Sequence, residues 1–258
     1  MSGNDRRGLV LQDRDRHLMR ELAEMRVIDR EQAKVVAGFG STTRANARLL
    51  ALVTAGLLKR FFLGTIAGGR KALYALSLQG AKLLNLPYRA PRRRHDEVLV
   101  ADFFVAHQLA VNEIYCTLKY RLIPAPDARF MKWASFSKPI DRSQSLIPDG
   151  YFEIAAGKHV TAFLEIDLGH EGQKVWKAKL QAYLRYAVSG QFESDFKQSR
   201  FRVLVIANSE RRVEAIRTLA GALTEKVFWF STFSLVNRDG FWSPVWVRPR
   251  DARRQPLL

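Results

Sequence analysis

Along the first eighty-odd residues the spacing of apolar positions changes repeatedly, and each change predicts an element. Leu18, Leu22 and Met25 recur at helical spacing after Asp13, a candidate N-cap. Asp29 opens a second helix, with Gln32 three positions on as the partner of a capping box, and Gly38 offers the C-cap. The stretch FGSTTRANARLLALVTAGLL starts a third helix at Ser41 or Thr42. Its spacing turns Ala45, Leu49, Leu52 and Val53 inward and leaves Thr43, Arg44, Asn46 and Arg48 on the opposite face, before Gly56 ends it. Strand-like runs follow at Leu57–Leu63 and Lys71–Leu76, around GTIAGGR, whose glycines suit a mobile turn. Leu76-Ser77-Leu78-Gln79-Gly80 then leads from strand to helix.

Proline and arginine interrupt the pattern at RAPRRRHDE, which sets a boundary over 87–95. The first domain is therefore 1–86, the second 96–250, with a basic, disordered tail at 251–258. From Asp96 to about Leu122, Val100, Phe103, Phe104, His107, Leu109, Val111, Ile114 and Leu118 predict a long, mostly buried helix. Two strands, Tyr151–Ala155 and His159–Ile166, flank a short turn at Ala156-Gly157-Lys158. A helix within GHEGQKVWKAKLQAYLRYAV carries Trp176, Leu180, Tyr183 and Ala187 on its buried stripe, with Lys179 at the border. A strand at Phe201–Ala207, a helix at about Ser209–Leu223 and strands at Val227–Leu235 and Trp242–Val247 complete the series. Helix, hairpin, helix, strand, helix is an α/β layout, a mixed sheet covered by helices.

Charge changes this picture more than composition does. The formal charge is +17 and the pI near 10.4, an excess that points to a polyanionic partner. Its distribution is sharper still: no acidic residue stands between Glu31 and Asp96, an interval holding Lys34, Arg44, Arg48, Lys59, Arg60, Arg70, Lys71, Lys82, Arg89, Arg92, Arg93 and Arg94. An anionic membrane is the rival partner, but no long helix is both basic and strongly amphipathic, and no apolar run is long enough to span a bilayer. The single Cys116 excludes a disulfide framework, and the charged N-terminus lacks a signal core, so the expected compartment is the cytoplasm.

Three helices followed by a basic hairpin is the order of a winged helix-turn-helix, expected here to bind double-stranded DNA. The third helix would present Ser41, Thr42, Thr43, Arg44, Asn46 and Arg48 at its N-terminal end, where Arg donates to guanine and Asn reads adenine. Lys59, Arg60, Arg70 and Lys71 would hold phosphates on the wing. A winged helix that makes only protein contacts is the weaker alternative.

The other chemistry lies in IPDGYFEIAAGKHVTAFLEID, residues 147–167. With the turn centred on Gly157, residues whose numbers sum to about 314 face each other, which puts Asp149 opposite Glu165. Glu165 and Asp167 are two apart and share a face. Three carboxylates so close repel unless a cation compensates, and their oxygens suit Mg²⁺ or Mn²⁺. The alternative is an ordinary hairpin with an acidic edge. GTIAGGRK lacks the spacing of a phosphate loop, and the scattered histidines form no zinc pattern. The aromatic run Phe228-Trp229-Phe230, with Trp242 and Trp246, reads as core packing.

The series PDG…FLEID…KAKLQAY resembles the core of the PD-(D/E)xK nuclease superfamily. Joined to an N-terminal winged helix, the chain resembles the replication-relaxation family of plasmids and mobile elements, from about Gln12 to Trp246. The resemblance implies a DNA-binding accessory protein of plasmid replication, relaxation or transfer, partnered by a relaxase or a replication initiator. It implies metal-holding roles for Asp149 and Glu165 and a water-orienting lysine. That lysine is expected where Asp167 stands; Lys179 on the next helix would replace it. A metal-dependent DNA endonuclease, a degenerate nuclease fold serving DNA binding or homodimerisation, and a transcriptional repressor remain open as readings of the same residues.

Overall fold

The computed structural model describes residues 9–64, 68–99, 102–140 and 145–258. The chain divides into two compact units, Met1–Cys116 and Thr117–Leu258, each mixed α+β and each with its own mixed sheet.

In the first unit α1 (Asp13–Met25), β1 (Ile28–Asp29), α2 (Arg30–Ala37) and α3 (Thr42–Thr54) lead to β2 (Leu58–Gly64) and β3 (Arg70–Leu76). The last two strands pair antiparallel from Leu58↔Leu76 to Gly64↔Arg70. α4 (Leu78–Leu83) and β4 (Val98–Leu99) follow, and the sheet runs β1-β3-β2-β4 with β4 parallel to β2. The turn residues 65–67 lie outside the described residues.

Local chemistry accounts for these boundaries. Asp29 accepts the backbone N–H of Gln32 at 2.8 Å, Ser41 that of Arg44 at 3.2 Å and Ser77 that of Gly80 at 2.8 Å, capping three helices. Gly38 takes the left-handed C-cap, φ 63°, that any other residue would adopt under strain. One cap moves: Gln12, not Asp13, precedes α1, because the Asp15 carboxylate accepts the Gln12 N–H at 2.7 Å.

α5 (Phe103–Tyr120) starts later than Asp96, because the residues before it pair with Phe62 and Leu63 as β4. Val100 lies outside the described residues. Phe103 and Phe104, expected inside, are 66% and 39% exposed, while Val105, Val111, Ile114 and Leu118 are buried. The Phe104 ring instead meets the Arg26 guanidinium at 4.5 Å. The division between units falls within α5, not in segment 87–95. Up to Cys116 the helix is tied to the first unit. The Gln32 amide donates to the Leu109 carbonyl at 2.8 Å, Asn112 donates to the Met25 and Val27 carbonyls at 3.0 and 2.6 Å, and the Tyr115 hydroxyl bonds Glu21 at 2.6 Å.

The second unit runs β5 (Arg129–Ala134), β6 (Gly150–Ala156), β7 (Lys158–Asp167), α6 (Gln173–Val188), α7 (Gln191–Phe196), β8 (Arg202–Ala207), α8 (Glu210–Gly221), β9 (Phe228–Thr232) and α9 (Phe233–Asp239). Its sheet is ordered β5-β6-β7-β8-β9, antiparallel through β7 and parallel beyond it. The β6–β7 hairpin has the register that the turn implies, from Gly150↔Leu164 to Ala156↔Lys158. Trp176, Leu180, Tyr183 and Tyr186 of α6 join Phe163, Val203, Val205 and Phe230 in one core. Tyr186 takes the place expected for Ala187, which is exposed.

Three C-terminal expectations fail. β9 stops at Thr232, whose hydroxyl accepts the Leu235 N–H at 3.2 Å and starts α9, so Phe233–Leu235 are helical. Residues 242–247 form no extended strand; they make isolated bridges, Phe230↔Val247 and Trp246↔Gln255. Through that second bridge the tail is ordered, and Leu257 is buried. Among the described residues no helix is long and apolar enough to cross a membrane.

Candidate nucleic-acid interface and acidic corner

The basic interval of the first unit is less uniform in space than in sequence, because acids from outside it fold back onto it. Arg48 is the plainest case. Its guanidinium bonds both oxygens of Asp15, a fully buried carboxylate on α1, and donates to the Val10 carbonyl at 2.7 Å. The bond to Asp15 holds Arg48 above its ordinary pKa. Arg48 thus clamps α3 to α1 and does not offer its head to a partner. Lys34 meets Glu31 at 3.0 Å, Lys71 meets Asp29 at 2.8 Å, and Arg93 pairs with Asp102. Arg60 bonds Asp96 through two nitrogens, at 2.7 and 2.9 Å. The Arg60 pair sits at the surface, where an ion pair contributes under about 1 kcal/mol and yields readily to a stronger anion, whereas the Asp29 partner of Lys71 is buried and also caps α2.

What remains outward is a shorter set. Thr43, Arg44 and Asn46 stand exposed on the first two turns of α3, and none of their side chains engages another among the described residues. Ser41 is spent as the N-cap, and Thr42 receives Lys34 at 3.2 Å. On the hairpin Arg70 is exposed, and the Lys59 ammonium donates to the Tyr88 hydroxyl at 3.1 Å.

The acidic corner lies where β7 ends under α6. Glu165 is fully buried; the Tyr183 hydroxyl donates to one oxygen at 2.5 Å and the Lys179 ammonium to the other at 2.9 Å. Asp149, opposite Glu165 by register, accepts the Ile166 N–H at 2.7 Å. Burial, opposed by Lys179 and reinforced by Asp149, raises the Glu165 carboxyl to about 7. Burial alone would lower Lys179, but the carboxylates of Glu165, Asp149 and Glu171 outweigh it and hold the ammonium charged. Glu171 lies 2.8 Å from that ammonium.

Asp167 points to the same face as Glu165 but belongs to a different set of contacts. Arg212 of α8 bonds it through two nitrogens, at 3.0 and 2.7 Å, the Trp176 indole donates to it, and the Gly169 N–H closes on it at 2.5 Å. With its lone pairs taken, Asp167 does not fit a metal ligand, and the three-carboxylate set expected from the sequence is not assembled. Among the described residues no group of three His, Cys, Asp or Glu side chains could hold a metal ion. The positive charge that the corner requires comes instead from Lys179 and Arg212. Asp149, Glu165 and Lys179 are brought together as the sequence suggests. Glu171 and Arg212 were missed: Glu171 sits in the loop before α6, and Arg212 lies 45 residues from its partner.

A family model described as replication-relaxation matches residues 19–198, which takes in α3, the β2–β3 hairpin and the whole acidic corner except Arg212. No curated protein and no solved structure matches the chain.

Proposed function

The chain belongs to the replication-relaxation family, and from that premise we propose that it binds duplex DNA through its first unit in plasmid or mobile-element replication or relaxation. On this reading the first unit is a winged helix. α3 enters the major groove with Arg44 and Asn46 toward base edges and Thr43 beside them, while Lys59 and Arg70 hold phosphates from the β2–β3 wing. The observation that carries it is the exposed, unengaged group Thr43, Arg44 and Asn46 on a unit whose other cations are partly neutralised from within. The second unit is then a PD-(D/E)xK-like domain whose corner has become an internal ion network. Partners are a relaxase or replication initiator, with a second copy of the chain as a further one, in the cytoplasm. The test is duplex affinity against salt for wild type and Lys59→Ala/Arg70→Ala. Each lost phosphate contact lowers the salt slope by about one; an unchanged slope removes the wing from the interface.

One observation favours a second reading, a metal-dependent endonuclease: Asp149, Glu165 and Lys179 converge without Asp167. Mg²⁺ or Mn²⁺ keeps several waters and needs only one or two carboxylates, here Asp149 and Glu165, and it would supply charge stabilisation to phosphodiester cleavage. Plasmid cleavage lost in both Asp149→Ala and Glu165→Ala would establish that activity. No cleavage with duplex binding intact in all three proteins would leave the corner structural.

A further inference from the structure

The end of the second unit opposite the acidic corner carries an open cavity of about 760 Å³, a volume within the usual range for small-ligand sites. The start of β7 and the start of β8 form its walls. His159, Arg200 and Arg202 line it together with apolar Val160, Phe201 and Leu257. His159 and Glu165 lie toward opposite ends of one strand, so the cavity is roughly 20 Å from Glu165 at the strand rise of ~3.3 Å per residue.

Among the described residues Arg202 of this cavity is held by a carbonyl and an aromatic ring, not by a carboxylate. Arg202 donates to the Leu257 carbonyl at 2.6 Å and lies over the Trp229 ring at 4.9 Å, which the Arg248 guanidinium also overlies at 5.3 Å. Burial, then the like charges of Arg200 and Arg248, push the Arg202 pKa down. Among the described residues no carboxylate pairs with Arg200 or Arg202, whereas Arg212, Arg217, Arg238, Arg250, Arg253 and Arg254 of the same unit each have one. Two arginines lining a cavity with apolar walls, neither paired with a carboxylate among the described residues, suit a bidentate anion joined to an apolar body.

We propose that this cavity is a nucleotide site, in which Arg200 and Arg202 bind a phosphate group and the apolar wall at Val160 and Leu257 contacts the base or sugar. The phosphate can belong to a free nucleotide or to a nucleic-acid strand, and the site is separate from α3 and from the acidic corner. Arg200 is exposed and its side chain makes no contact that holds the fold, so it is the residue to change.

The test is calorimetric titration of the full chain with thymidine 5′-monophosphate and with a short oligothymidylate, for wild type, Arg200→Lys and Arg200→Glu, each confirmed folded by its thermal melt. The expected result is saturable binding of at least one probe, weakened about tenfold or more by Arg200→Glu and largely kept by Arg200→Lys. Binding of the mononucleotide identifies a free nucleotide as the ligand; binding of the oligonucleotide alone identifies a strand backbone. Absence of binding by both probes, or equal binding by wild type and Arg200→Glu, overturns the proposal. Neither result depends on the duplex-binding reading, since the Arg44→Ala/Asn46→Ala variant should keep the Arg200 effect at full size.

Discussion

The α3 helix and the acidic corner are both dense in charge, and they use it in opposite ways. On α3, Arg44 and Arg48 lie one turn apart: Arg48 turns in to a buried Asp15, while Arg44 stays in solvent. In the corner Asp149, Glu165, Glu171 and Asp167 all find protein partners, and the cations Lys179 and Arg212 are consumed in the process. Burial separates the two outcomes. A charge that leaves water must be paired, since its desolvation costs several kcal/mol, whereas an exposed one is stable alone and available to a partner. Charge count along the sequence therefore overstates how many cations stand clear of an internal partner.

The comparison breaks first if the corner is not held by its internal pairs. Arg212→Ala leaves Asp167 buried without its guanidinium and should cost roughly 3–5 kcal/mol in urea unfolding; a loss below about 1 kcal/mol would mean that Trp176 and Gly169 suffice. Arg48→Ala should destabilise by a similar roughly 3–5 kcal/mol through the orphaned Asp15, while Arg44→Ala stays within about 0.5 kcal/mol of wild type. Equal effects would erase the distinction between the two arginines.

A smaller effect follows from Glu165, whose carboxyl is raised from 4.5 to about 7. Between those values the folded state holds a proton that the unfolded state has released. Stability contributed by this group is therefore full below pH 4.5, declines as pH rises, and is flat above about 7. Wild type should lose roughly 3 kcal/mol from this group across that window, and Glu165→Gln should remove that part of the slope. Identical pH profiles for the two proteins would show that Glu165 stays ionised beside Lys179.

Much of this was legible in the sequence, for local reasons. Asp29, Gln32, Gly38 and Ser41 mark helix ends because the capping groups lie within three residues of what they cap. The hairpin register followed from the turn at Gly157, and it correctly set Asp149 against Glu165. What escaped depends on partners distant in the chain. Asp15 claims Arg48 across 33 residues, and Arg212 claims Asp167 across 45. Gln255 pairs with Trp246 and orders a tail that reads as basic and polar. β5 escaped because Arg129, Met131 and Lys132 leave its edge largely exposed and blur its alternation. Phe103 and Phe104 read as core by hydrophobicity alone, but the first turn of α5 leaves them exposed.

The central claim is that the outward turn of α3 reads duplex DNA. It is tested most directly by fluorescence anisotropy at one fixed salt concentration, comparing wild type with Arg44→Ala/Asn46→Ala on a preferred and a scrambled duplex. The account predicts an unchanged melting temperature, a loss of about tenfold or more on the preferred duplex, and a much smaller loss on the scrambled one. Equal affinity of both proteins for both duplexes would contradict it.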